Sequence, residues 1–160
     1  MSHRISHSSG ATLALMLISG FHSMTDEVIL ELEKQGFAGT RAIHAFALEA
    51  IDAGADTASS LGRRVSVSKQ AAAKTIASLE ELGFVRRKDD PNDARRKVLR
   101  VTARGYKMLQ VGGQLFNAVR NRWAAQIGAS QLEAMEAHLA ELVKLRTLSA
   151  EDISRPPNEG

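Results

Sequence analysis

The sequence predicts a mainly α-helical chain carrying one small β-hairpin, an α+β class. Two observations predict it. Apolar residues recur at three- and four-residue spacing along most of the chain, as in Leu13 and Leu17, Val28 and Leu32, and Leu132, Met135, Leu139, Leu142 and Leu145. That is the period of an amphipathic helix. After Gly83 the period drops to two over residues 84–88 and 98–102, and the DDPND between them has turn chemistry.

The elements follow in order. MSHRISHSSG is polar and aperiodic, an arm outside the fold. A helix is expected over 11–35, with Gly20 as a point where it bends or divides. Gly36 and Gly39 punctuate the chain. Thr40 then opens a second helix with Ile43, Ala47 and Ile51 on one stripe, ended by the AGAD of 53–56. Thr57 suits the N-cap of a short helix over 58–65. Ser66 and Val67 make a turn, and Ser68 caps a helix over 69–82. Ala72, Ile76 and Leu79 share one face of that helix, and Gly83 stops it. Beyond the hairpin, Thr102 caps a long helix over 103–126. Ser130-Gln-Leu-Glu133 has the form of a capping box for a last helix reaching Leu148. EDISRPPNEG closes the sequence as a disordered tail.

Composition narrows the function. With 160 residues, one domain with appended helices is expected. Cysteine is absent, which removes disulfides, thiolate metal sites and cysteine nucleophiles and implies an intracellular, cytoplasmic protein. The apolar run LALMLI is six residues, far below the roughly 20 that cross a bilayer, and signal-peptide features are lacking. No membrane partner is expected. Dinucleotide, phosphate-loop, nucleophile-elbow and zinc-protease motifs are missing too, so neither an enzyme nor a cofactor is expected, and no residue is assigned a catalytic role. Histidines at 3, 7, 22, 44 and 138 are too scattered for a metal site. Charge is uneven. Residues 63–104 hold 12 Lys/Arg against 5 Asp/Glu, while the rest holds 9 against 13. A basic block in an otherwise acidic chain points to a localised anionic partner.

Two short helices across a tight turn, followed by a hairpin, are a winged helix-turn-helix. The residues carry a resemblance as well. LGRRVSVSKQAAAKTIASLEELGFV resembles, without gaps, the helix-turn-helix of MarR-type regulators, with Leu61, Ser68, Leu79, Gly83, Phe84 and Val85 on the pattern's positions. DDPNDARRKVLRVTARG is similar to the family's wing, with Asp93-x-Arg95, Thr102 and Gly105. In element order the resemblance spans 36–146. Gly62 departs from the usual alanine, Ser66 from a common glycine and Thr75 from an apolar residue, which could loosen the first helix or the turn.

The resemblance implies a sequence-specific regulator of transcription that binds double-stranded DNA, a repressor released by a small-molecule ligand. A recognition helix enters the major groove N-terminus first. Its outward residues here are Ser68, Lys69, Gln70, Ala73 and Lys74, with Gln70 suited to adenine and the lysines to guanine or phosphate. In the family the wing arginine, here Arg95, reaches the minor groove. Asp93 would shape the wing, and Arg86, Arg96 and Lys97, with Arg87 and Lys88, would face phosphates. Strand alternation keeps all of them from facing the duplex together.

The family's architecture further implies winged helix-turn-helix lobes flanked by dimerisation helices. The divisions are 1–35, arm and dimerisation helix; 36–102, DNA-binding lobe; 103–148, C-terminal dimerisation helices; and 149–160, tail. A homodimer would read a pseudo-palindromic operator. His22, Arg41, His44, Phe116 and Trp123 are the candidate lining for a small aromatic or anionic effector. The alternatives are a winged helix used for protein contacts, an activator, or a metal-responsive regulator.

Overall fold

A computed structural model describes residues 8–143. The expected arm, the last helix beyond Val143 and the tail lie outside these residues, wholly or in part. Six helices and one hairpin follow in the order α1 (Ser9–Lys34), α2 (Ala42–Asp52), α3 (Ala58–Arg64), α4 (Lys69–Glu81), β1 (Val85–Asp90), β2 (Asp93–Val101), α5 (Ala103–Ile127) and α6 (Ala129–Val143).

The caps anticipated from sequence set three boundaries. Ser60 N–H donates to Thr57 Oγ1 at the start of α3, Ala71 N–H to Ser68 Oγ at α4, and Gly105 N–H to Thr102 Oγ1 at α5, each at 3.1 Å. Each bond satisfies a donor that the first helical turn leaves open. Gly83, at φ 72°, ends α4 as expected.

Several boundaries differ from expectation. Thr40 does not open α2; its hydroxyl donates to Phe37 O at 2.7 Å, and Arg41 takes the N-cap position instead. Gly20 does not divide α1, which runs unbroken past it. Nor does the capping box at Ser130 form. Gly128, at φ 99°, reverses the chain in a single residue, so α6 begins at Ala129 and Ser130 Oγ turns to Gln131 Oε1 at 2.9 Å. A hairpin with its turn over 89–93 is also too short a description. The ladder continues through charged residues, because backbone pairing needs no apolar side chain, and the turn shrinks to Pro91 and Asn92. Asp90 Oδ1 holds that turn by accepting Asn92 N–H at 2.9 Å.

The core sits where α2, α3, α4, the hairpin and α5 converge. Leu48, Leu61, Leu79, Phe84, Leu99 and Met108 are fully buried there. Each such side chain withdrawn from water stabilises the fold by about 1.5–3 kcal/mol. Thr75 is buried as well, and its hydroxyl donates to Ala71 O at 3.1 Å, so the polar group in an apolar position is satisfied within its own helix. Gly62 has a packing reason in α3. The turn passes so close that a Cβ there would stand 2.9 Å from Val67 O.

α1 differs in kind. Val28 and Leu32 bury its C-terminal half against α5, and Glu27 pairs with Arg122. Toward its start Leu13, Leu15, Met16, Leu17, Ile18 and Phe21 are all exposed. Taken whole, α1 is the one helix among the described residues long and apolar enough to cross a bilayer, by length and composition alone.

Candidate nucleic-acid interface

α4 is two-faced. Ala72, Thr75, Ile76 and Leu79 point inward, while Ser68, Lys69, Gln70, Ala73 and Lys74 are exposed, as their spacing predicts. Ala77, not singled out from sequence, extends the outward stripe at i+7 from Gln70 and could have been found by the same periodicity. Ala73 and Ala77 add no bulk, so the stripe can approach a surface closely. Ser68 is both exposed and committed, since its Oγ caps Ala71 N–H.

The hairpin places its cations by register. Val85 lies opposite Val101, Arg86 opposite Arg100, Arg87 opposite Leu99 and Asp89 opposite Lys97. A bulge follows between Asp89 and Asp90, leaving residues 94–96 without direct partners. Asp93 Oδ1 accepts the Arg95 N–H at 3.0 Å, a local bond that shapes the wing at its tip.

Ion pairing then sorts the basic residues. Arg87 Nε meets Glu80 of α4 at 2.9 Å, and Lys97 pairs with Asp89 across the ladder. Arg96 reaches Asp56 at 2.9 Å and Asp90 at 3.3 Å. Arg86, Lys88, Arg95 and Arg100 form no ion pair among the described residues. Arg86 and Arg100 are cross-strand neighbours of like charge, an arrangement that costs stability until an anion neutralises it. Of the cations expected at phosphates, then, Arg86 and Lys88 stand open, while Arg87, Arg96 and Lys97 are held by carboxylates. Asp56 precedes α3 by two residues and lies 40 residues from Arg96 in sequence, and no local pattern signals its role.

The five residues expected around an effector differ in exposure. His22 and Arg41 are exposed, His44 is buried, and Phe116 and Trp123 are half-buried. The Phe116 ring lies 6.5 Å from that of Phe46 on α2, and Trp123 packs beside Gly20 of α1. His44 Nδ1 accepts the Arg41 N–H at 3.1 Å, so it works as a cap of α2. Burial first, and the nearby Arg41 charge second, lower its pKa to about 4. A shallow cavity of about 220 Å³ lies elsewhere, between α1 and α5, lined by Val28, Leu115, Val119 and the Glu27–Arg122 pair among others. No group of three or more His, Cys, Asp or Glu able to hold a metal occurs among the described residues.

With this geometry in place, comparison with known proteins is decisive for the lobe. The family model described as "MarR family" matches residues 38–96, from the α1–α2 loop to the wing. Over residues 38–96 the chain resembles the MarR family. That match supports reading the lobe as the DNA-binding unit of a transcriptional regulator. No curated protein matches the chain.

Solved structures carry the same fold over nearly their whole length. One described as MarR is 22% identical, with a TM-score of 0.67, covering 84% of this chain and 98% of that one. A MarR-family regulator from Rhodococcus sp. RHA1 is 18% identical, with a TM-score of 0.66, covering 86% and 96%. MepR of S. aureus, solved as a DNA complex, is 16% identical, with a TM-score of 0.64, covering 86% and 95%. The matched lobe of this chain thus sits within a fold that these structures share along its flanking helices.

Proposed function

We propose that this chain is a cytoplasmic, homodimeric repressor that reads a pseudo-palindromic duplex operator and is released by a small aromatic or anionic effector. The observation that carries the reading is the outward stripe of α4 beside a wing whose tip arginine, Arg95, is free of acidic partners. In this reading Gln70 reads a base edge, Lys69 and Lys74 take guanine or phosphate, Arg95 enters the adjoining minor groove, and Arg86 meets a phosphate. MepR, which shares the fold, is solved as a DNA complex, and this supports the same docking here.

The exposed apolar start of α1, with Leu142 and Val143 of α6, supports a two-fold dimer built from 1–35 and 103–148. The DNA-binding lobe is then 36–102, repeated about one DNA turn apart. Release by an effector rests on analogy. MepR is also solved with ethidium bromide bound, which favours a planar aromatic ligand. Such a ligand would act by preferring a spacing of the two lobes that does not fit DNA.

The test is selection of duplexes from a random pool by the purified protein, then gel shift of the selected operator at several salt concentrations. Arg95→Ala is expected to weaken binding strongly while the dimer persists. Gln70→Ala is expected to change base preference by about 1–3 kcal/mol at one position of each half-site. A flat salt dependence would favour a protein-contact role instead. Ligand release fails if neither thermal shift nor gel shift responds to a broad panel of phenolic and carboxylate compounds.

A further inference from the structure

Arg96 is the most connected cation of the wing. Its guanidinium bonds Asp56 Oδ1 through Nη2 at 2.9 Å and Asp90 Oδ2 through Nη1 at 3.3 Å. Both carboxylates are more secluded than the arginine, their side chains 19% and 12% exposed against 46%. Asp56 belongs to the link between α2 and α3, immediately before the N-cap Thr57. Asp90 ends β1, just past the bulge. One planar fork therefore ties the wing to the entrance of the helix-turn-helix, and it does so one residue from Arg95.

We infer that Arg96 is a positioning residue for DNA recognition and not a phosphate contact. The inference rests on the DNA-binding reading above. A two-stranded hairpin has no further strands to hold its angle, and beyond Val98 every side chain of its strands and turn except Asp90 is exposed. Arg95 and the α4 stripe must engage one duplex together, so the wing's tilt relative to α3 and α4 sets whether both can. The Asp56–Arg96–Asp90 bridge holds that tilt on the α3 side, as the Arg87–Glu80 pair does on the α4 side. Asp93 fixes the Arg95 backbone from the other side. If Arg96 turned to a phosphate, Asp56 and Asp90 would be left as unpaired negative charges near the DNA, an unfavourable exchange.

The two roles predict opposite signs. Were Arg96 a phosphate ligand, Asp56→Asn would free it and remove a negative charge, so operator binding would tighten. As a positioning residue, Arg96 needs Asp56, and Asp56→Asn should weaken operator binding several-fold despite making the protein more basic. Arg96→Lys separates them again. Lysine keeps the charge a phosphate contact needs but cannot span two carboxylates, so it should fall as far as Arg96→Ala. Asp56→Asn and Arg96→Lys combined should lose no more than either alone, a coupling of about two- to tenfold.

Amide exchange of the free protein gives a second readout independent of DNA. The wing amides should exchange faster in both variants, while those of α4 and α5 keep wild-type protection and so report an intact fold. Tighter operator binding by Asp56→Asn, or wild-type binding by Arg96→Lys, would overturn the inference and leave the DNA-binding reading standing. Absence of salt-dependent duplex binding by the wild-type protein would overturn both.

Discussion

Gly105 tests how the hairpin is joined to α5, because two physical effects act there with opposite signs. In an open helix, Gly→Ala is favourable by about 1 kcal/mol through backbone entropy. At Gly105 a Cβ would fall well under 3.0 Å from Phe84 O, 2.8 Å from Val101 Cγ1 and 3.1 Å from Phe84 C. The carbonyl cannot move aside cheaply. It accepts the Thr102 N–H at 2.9 Å, and the ring of its own residue is fully buried. Overpacking costs about 1–3 kcal/mol, and loosening the Thr102 bond adds about 0.5–1.5 kcal/mol. The steric side wins. Gly105→Ala is expected to destabilise the protein by a net of about 1–3 kcal/mol, a fall in Tm of about 2–4 °C per kcal/mol for a chain of this size. The control lies on the same helix. Gly113 is exposed and has nothing within 4 Å of its Cβ position, so Gly113→Ala should stabilise by up to about 1 kcal/mol. Urea unfolding followed by circular dichroism, at one protein concentration throughout, measures both. A Gly105→Ala protein as stable as wild type would refute the tight junction between Phe84 and α5.

Ser66 is the one non-glycine residue with positive φ among those described, at 58°, so Ser66→Gly should raise the urea midpoint by relieving about 1 kcal/mol of left-handed strain, less the entropy glycine loses on folding. His44 makes stability depend on acid. Its folded pKa of about 4 lies below the ordinary 6.5, so the unfolded chain binds more protons between those values. The contribution is complete above pH 6.5, and stability falls as pH drops toward 4, with a slope of at most about 1.4 kcal/mol per pH unit. His44→Gln keeps a side-chain acceptor for the Arg41 N–H and should flatten that slope in urea midpoints measured from pH 7 to 4; an unchanged slope would assign it to other groups.

Much of the fold could be read directly because its signals are local. Thr57, Ser68 and Thr102 are N-caps with apolar periods behind them, and Gly83 follows the last inward leucine of α4. Each decision concerns a few neighbouring residues. Expectation failed where two local signals competed. Ser130 and Glu133 spell a capping box, yet Gly128 two residues earlier tolerates a positive φ and starts the helix first. Arg41 lacks the chemistry of a good N-cap, but His44 stands three residues on, where a capping box carries Glu or Gln, and its Nδ1 takes the backbone donor. Burial of that ring completes the substitution, because a histidine kept neutral can go on accepting.

The interface was legible to a different depth on its two elements. Helical periodicity alone separates the exposed stripe of α4 from its buried one. On the wing, periodicity gives the faces but not which cations are already spent. Seven basic residues lie from Arg86 to Arg100, and their count alone does not say which of them can meet DNA. Three are neutralised by acids, and the decisive ones, Glu80 and Asp56, come from α4 and from the link before α3. A carboxylate brought from that distance leaves no trace in the local sequence. Its effect on binding is nonetheless direct. A cation already paired releases little counterion free energy when it meets a phosphate, because the carboxylate it leaves must then be solvated or repelled. Affinity should therefore follow the unpaired set, Arg86, Lys88, Arg95 and Arg100, while the paired set governs geometry. In that division the crowding of Arg95, Arg96 and Lys97 after a turn ceases to be a redundancy: the three adjacent charges separate into one that is open, one that bridges to the helix-turn-helix and one that closes the ladder.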